Sequence, residues 1–158
     1  SDYRAKFGIP DRLGSCHTGV VNGYALEGHV PAADIQRLSQ SKPVDLVGQT
    51  NLKQLLALIK EASLVLAPDT GPTHMATLVG TPVIGLYAHH NPDRTGPYLC
   101  REHAVSVYQE LIEQETGKPL AALDWRTRLK DPDAMRKITS ERVIAAFDRL
   151  CTERQLPG

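Results

Sequence analysis

The stretch SLVLAPDTGPTHMATLVGTPVIGLYA, residues 63–88, decides how the rest of the chain is read. Two short apolar runs, 64–67 and 82–87, have the length and β-branched content of strands buried on both faces. A brief helical pattern lies between them. The first run ends in Asp69-Thr70-Gly71-Pro72, where Asp or Thr can cap a helix and Pro fits its first turn because the absent N–H would be unpaired there anyway. Gly80 ends the helix. The unit predicted is strand, turn, helix, strand, and its turn sets a helix N-terminus at the carboxyl end of a parallel strand. Open sheets bind ligands at that edge, and the unpaired amides and helix dipole there favour an anion. The turn therefore reads as a phosphate cradle, with the amides of Thr70, Gly71 and Thr73 as donors and Gly71 allowing close approach. The plainer alternative is that Asp69 and Thr70 cap a helix and His74 packs.

Upstream, residues 44–47 read as a short strand, Gly48 permits a tight turn, and Thr50 is the expected N-cap of a helix over 51–62. Its Leu52, Leu55, Leu56 and Ile59 recur at the spacing of one helix face. Gly48-Gln49-Thr50-Asn51 then ends the strand expected beside the cradle, so Gln49 and Thr50 are candidates to flank a base or ribose. A helix is expected over 32–40, ended by Lys42-Pro43. Residues 3–14 read as a helix end stopped by Gly8 and a short strand or turn, and 15–30 carry no assignment. Downstream, 88–102 reads as a long polar loop, a kind that is usually functional or disordered. Arg94 in it is a candidate phosphate contact. His89, His90 and Asp93 invite a metal reading, but adjacent imidazoles without a third ligand at ligand spacing favour a solvated loop. A short strand is expected over 104–108, a helix over 110–123 interrupted at Gly117-Lys118-Pro119, and a last helix from Thr139 or Ser140 to about residue 150. Val143, Ile144, Phe147 and Leu150 form its apolar face.

Composition narrows the partners. The 158 residues suffice for one domain with a core and are too few for two full-sized α/β domains. Lys and Arg number 18 against 18 Asp and Glu, and aromatics are 5%, so neither a global basic field nor a base-stacking platform for nucleic acid is present. Cys16, Cys100 and Cys151 are too scattered for a zinc site or a redox dithiol and read as thiols. No run approaches the ~20 apolar residues of a membrane span, and charges interrupt residues 1–13, unlike a signal peptide. A cytoplasmic location is expected. Arg126, Arg128, Lys130, Arg136 and Lys137 form a basic run that reads as a solvated face, with contact to an anionic lipid sugar as the minor alternative.

The run Asp69-Thr70-Gly71-Pro72-Thr73-His74-Met75-Ala76, followed by Gly80-Thr81-Pro82-Val83-Ile84-Gly85-Leu86-Tyr87, resembles the signature of glycosyltransferase family nine, the bacterial heptosyltransferases. Asp45-Leu46-Val47-Gly48-Gln49-Thr50-Asn51-Leu52 with its helix, and Met135-Arg136-Lys137-Ile138-Thr139 with the last helix, resemble flanking elements of that family in the same order. About residues 34–150 are covered. The resemblance implies a Rossmann-like parallel sheet flanked by helices, most of the C-terminal donor-nucleotide domain of a two-domain GT-B glycosyltransferase. Residues 1–30 then form a separate N-terminal segment, where Gly8-Ile9-Pro10-Asp11-Arg12-Leu13-Gly14 resembles a passage of the acceptor domain, and 31–158 form the nucleotide-sugar-binding domain.

The activity implied is inverting transfer of heptose from ADP-heptose or a related nucleotide sugar to lipopolysaccharide core, with no cofactor and no obligatory metal. Asp69, Thr70, Gly71, Pro72, Thr73 and His74 would hold the diphosphate and sugar, assisted by Gln49, Thr50 and Arg94. Hydroxyls of Thr70 and Thr73 would add bonds, and His74 would donate to a phosphate or sugar hydroxyl. Asp69 reads as a turn-forming and capping residue with a sugar-hydroxyl contact, because a bare carboxylate beside a leaving diphosphate repels it. Partners implied are the donor and a lipid-linked saccharide acceptor, the latter bringing peripheral contact with the inner membrane. The acceptor-domain Asp that deprotonates the attacking hydroxyl in these enzymes has no counterpart here, nor does the basic residue on the donor domain's first strand–helix unit. A fragment or shortened form is therefore expected. Two other readings stay open, a noncatalytic nucleotide- or phosphate-binding α/β module and a nucleotide-sugar epimerase of similar fold.

Overall fold

The two apolar runs that frame the cradle become adjacent parallel strands, β4 (Leu64–Pro68) and β5 (Val83–Tyr87), paired from Val65↔Val83 to Pro68↔Leu86. A computed structural model of the protein describes residues 18–21, 24–27 and 44–155. The readings of residues 3–14 and of a helix over 32–40 lie outside the described residues. Preceding β4 are β1 (Thr18–Val21), β2 (Tyr24–Glu27), β3 (Val44–Asp45) and helix α1 (Leu52–Glu61). Helix α2 (Gly71–Val79) joins β4 to β5, and Gly80 stops it in the left-handed region at φ 79°. Then come α3 (Pro92–Thr95), β6 (Val105–Ser106), α4 (Tyr108–Thr116) and α5 (Ser140–Arg154).

Among the described residues six strands form one sheet in the order β3-β1-β2-β4-β5-β6. Strands β2, β4, β5 and β6 are mutually parallel, which is the Rossmann-like sheet expected. An antiparallel β1 modifies it, pairing with both β2 and β3. The register Val21↔Tyr24 leaves only Asn22-Gly23 between two apolar strands, the dipeptide most favoured in two-residue hairpin connections. That signal was present in a stretch whose glycines otherwise argue against strand. The boundary expected at residue 30 falls inside the sheet, since β2 precedes it and pairs with β4, which follows it.

Alternation explains why β4 and β5 read as unbroken apolar runs. Leu64, Leu66, Ile84 and Leu86 point to one face and pack with Val143, Ala146, Phe147 and Leu150 of α5. Val65, Ala67 and Val83 point to the other and pack with Leu55 and Ile59 of α1 and Ala76 of α2. Both faces are covered by helices, so neither strand carries a polar face.

Several local assignments change. Asn51, not Thr50, caps α1: its side chain accepts from the Gln54 amide at 3.0 Å while Gln54 accepts from the Asn51 amide at 2.9 Å, a reciprocal capping box. The helix thus starts one residue later, and Leu52, in its first turn, is 72% exposed instead of sharing the buried face. Residues 88–102 are not one continuous polar loop. Asn91 is buried and caps α3 through the Asp93 amide, Pro97 and Cys100 are buried, and a 3-10 turn, Arg101–His103, is tied to α5 by His103 Nε2 against Glu153 at 3.0 Å. β6 is only two residues long, because Tyr108 already begins α4, and Gly117 ends that helix at φ 67°. Thr139 stands at the N-cap position of α5 without a side-chain cap bond, and the helix continues past Leu150 to Arg154. Leu129, within the basic run read as a solvated face, is buried against Val107, Tyr108 and Ile112.

Candidate functional site

Strand β4 delivers Asp69-Thr70 to the carboxyl rim of the parallel sheet, and α2 begins at once with Gly71. Pro72 and Thr73 are buried, whereas Gly71 and His74 are exposed on the first turn. An added Cβ on Gly71 would meet nothing within 4 Å. The turn is therefore not plugged by neighbouring side chains. Among the described residues the amides of Thr70 and Gly71 find no acceptor, and Pro72 has none to offer, which leaves donors pointing off the helix N-terminus.

The expected side-chain roles are redistributed. Thr70 occupies the N-cap position with extended backbone but makes no cap bond, its hydroxyl donating instead to the Pro68 carbonyl at 3.2 Å. Thr73 is fully buried. Its hydroxyl donates to the same carbonyl at 2.6 Å and its amide to Thr70 O at 3.2 Å, so both of its donors are used inside the turn. Thr73 thus shapes the cradle by tying the first turn of α2 back onto the end of β4. Thr73→Val should cost about 1–2 kcal/mol of stability, read as a lower denaturant midpoint, while the amides of Thr70 and Gly71 stay open.

Asp69 does not cap α2 either. Its Oδ2 lies 3.0 Å from His90 Nδ1 and accepts from Thr95 Oγ1 at 3.0 Å. Both partners come from the segment after β5, the strand beside β4. Neighbouring strand ends meet at the rim, so residues 21 and 26 positions away in sequence converge on one oxygen. His89 turns elsewhere, with Nε2 3.0 Å from the Asp131 carbonyl, so the adjacent imidazoles serve different partners.

Beneath this cluster Tyr87, the last residue of β5, is completely buried, and its hydroxyl has no hydrogen-bond partner. The ring folds over Gly85, where an added Cβ would come within 2.5 Å of Cε2, so only glycine leaves room for it. Burial first, then the Asp69 carboxylate and Tyr98, hold the Tyr87 phenol protonated far above its ordinary range. Sequence reasoning treated Tyr87 as plain core. The signal was its place at the end of β5, one strand from Asp69.

The remaining candidates are spread along the rim. Gln49 and Thr50 follow β3, which is parallel to β4 but is not its neighbour: the β1–β2 hairpin lies between, about 14 Å of sheet at the usual strand spacing. Arg94 lies in α3, half-buried, on the β6 side. Burial raises the Tyr108 phenol above its ordinary range and the nearby Arg94 guanidinium opposes that rise. The rim therefore runs from Gln49 at one edge, through Asp69 and α2 in the middle, to Arg94 beyond β5.

A Rossmann-like sheet with an open amide turn at the carboxyl end of a central strand is the arrangement in which α/β proteins hold anionic ligands. Residues 16–123 match the family model described as glycosyltransferase family 9 (heptosyltransferase). The chain is 51% identical over 116 residues to the lipopolysaccharide core heptosyltransferase OpsX of Haemophilus influenzae, covering 73% of this chain and 33% of that relative. It is 33% identical over 75 residues to lipooligosaccharide heptosyltransferase 2 of the same organism, covering 47% of this chain and 22% of the relative. The chain belongs to glycosyltransferase family 9. It spans a third or less of the length of these curated relatives. No solved structure matches it.

Proposed function

We infer that this chain supplies the donor-binding part of an inverting glycosyltransferase that moves heptose from ADP-heptose or a related nucleotide sugar to lipopolysaccharide core. The observation that carries the reading is the turn at Thr70-Gly71, whose amides have no acceptor among the described residues and where an added Cβ on Gly71 meets nothing within 4 Å, in a chain of the heptosyltransferase family. Preorganised donors there stabilise the charge that develops on the leaving diphosphate as the sugar–oxygen bond breaks. His74, exposed on the same turn, and Arg94 at the far side of the rim are proposed to add side-chain bonds to the donor. Residues 31–158, together with the β1 and β2 strands that share their sheet, are proposed as the nucleotide-sugar-binding unit.

The acceptor is proposed to be the lipid-linked saccharide, met at the cytoplasmic face of the inner membrane. No described helix is long and apolar enough to cross a membrane. Trp125, 57% exposed, is followed in sequence by exposed Arg126, Arg128 and Lys130, a composition suited to an anionic lipid interface.

Calorimetric titration with ADP, UDP and ADP-heptose tests the proposal. ADP and ADP-heptose should bind and UDP should bind at least about tenfold more weakly, a difference of about 1.4 kcal/mol. Preference for UDP would support the epimerase reading instead, and absence of all binding would remove the donor-site assignment. A noncatalytic nucleotide-binding module is separated by turnover with a deacylated core acceptor, which it would not catalyse. That reading is favoured by one observation: the carboxylate at the site, Asp69, is engaged by His90 and Thr95.

A further inference from the structure

Resting on the donor-site reading, we propose that His90 and Thr95 are positioning residues for Asp69, which let a carboxylate stand beside the diphosphate cradle and aim it at the sugar of the donor. Asp69 immediately precedes the open amides, and an unrestrained negative charge there repels a diphosphate at contact distance. The structure shows how this conflict is reduced. His90 Nδ1 and Thr95 Oγ1 both approach Oδ2 at 3.0 Å, and among the described residues Oδ1 has no partner. An ionised carboxylate only accepts, so Nδ1 carries the proton in this pair. Two donors from the β5 side thus hold Oδ2 sideways along the rim, towards α3.

The other oxygen is left for a ligand. The Asp69 side chain is 18% exposed and that of His90 is 30% exposed, so the pair borders solvent and is not sealed in the core. A group fixed at one oxygen and open at the other can accept from a hydroxyl of a sugar whose diphosphate sits on the neighbouring amides. The clasp also joins the end of β4 to the segment after β5, so Asp69 cannot swing over the helix N-terminus to take its amides for itself. That competing arrangement is an Asp N-cap, for which Asp has a strong intrinsic preference, and it would block the anion site. Tyr87, buried beneath with its hydroxyl unpartnered, adds no competing bond to Asp69.

The test compares ADP with ADP-heptose on wild type, His90→Ala, His90→Asn and Thr95→Val, with melting temperatures as a check on folding. His90→Ala and Thr95→Val should each weaken ADP-heptose about tenfold while ADP stays within about twofold, because ADP lacks the sugar that Oδ1 receives. His90→Asn keeps an N–H near the Nδ1 position and should restore most of the lost affinity. Equal losses for ADP and ADP-heptose would show that the clasp only maintains the shape of the rim, and unchanged affinity for both would show that it positions nothing. Either overturns the proposal while leaving donor binding intact. Failure of the wild-type chain to bind ADP overturns the donor-site reading itself, and this proposal with it.

Discussion

Gly71→Leu is expected to weaken ADP binding at least about tenfold, or about 1.4 kcal/mol, while changing folding stability by no more than about 0.5 kcal/mol, the usual range for an exposed position without special contacts. The two halves of this result come from the same geometry. Gly71 is exposed, its backbone lies outside the left-handed region, and a Cβ there meets no protein atom within 4 Å, so leucine strains nothing. In the donor-site reading, the leucine side chain competes with a diphosphate that must come to backbone contact distance at the first turn of α2. Titration calorimetry and a denaturant melt on the same preparation check both halves. Unchanged affinity would mean that the nucleotide lies elsewhere on the rim.

The second large effect is on stability. Ile84→Ala should destabilise the fold by about 2–5 kcal/mol, the range for truncating a fully buried aliphatic side chain. Ile84 has no exposed surface, pairs with Leu66 across β4–β5, and packs in the cluster that joins β4 and β5 to α5. A urea melt should show a lower midpoint with an unchanged slope. A loss below about 1 kcal/mol would show that α5 does not close tightly over this face. Because β5 also carries His90 and Thr95 to the rim, a residual loss of donor affinity in the folded variant would report loosening of the strand end that holds Asp69.

How legible the molecule was follows from the range of the forces involved. Strands β4 and β5, helix α2 and its glycine stop could be read directly, because burial on both faces requires unbroken apolar runs and a left-handed helix end favours glycine. The amide turn was legible for the same reason, being built from consecutive residues. Thr50 as the N-cap of α1 was misplaced by one position, since Thr50 and Asn51 are both good caps and only the reciprocal bond with Gln54 selects Asn51. The polar stretch 88–102 misled more seriously. Its Asn91 and Pro97, and His103 just after it, look solvated one by one, yet they become buried once α3 and the 3-10 turn fold against β5 and α5.

The site divides along the same line. Thr70, Gly71, Pro72, Thr73 and His74 are contiguous, so the sequence located them, although burial and the Pro68 carbonyl took the Thr73 hydroxyl out of ligand reach. Gln49 and Thr50 were placed beside β4 because β3 is the strand reading that precedes it, while the actual neighbour is β2, brought in by a hairpin. The amino-acid order alone therefore settled the α/β class, the family resemblance and the strand–turn–helix unit that carries the candidate site, all products of short-range pattern. Tertiary structure alone settled which strands are neighbours, that His90 and Thr95 share one oxygen of Asp69, and that Tyr87 lies unpartnered below them. These depend on strand order and on contacts between residues far apart in the chain, and no local periodicity encodes either.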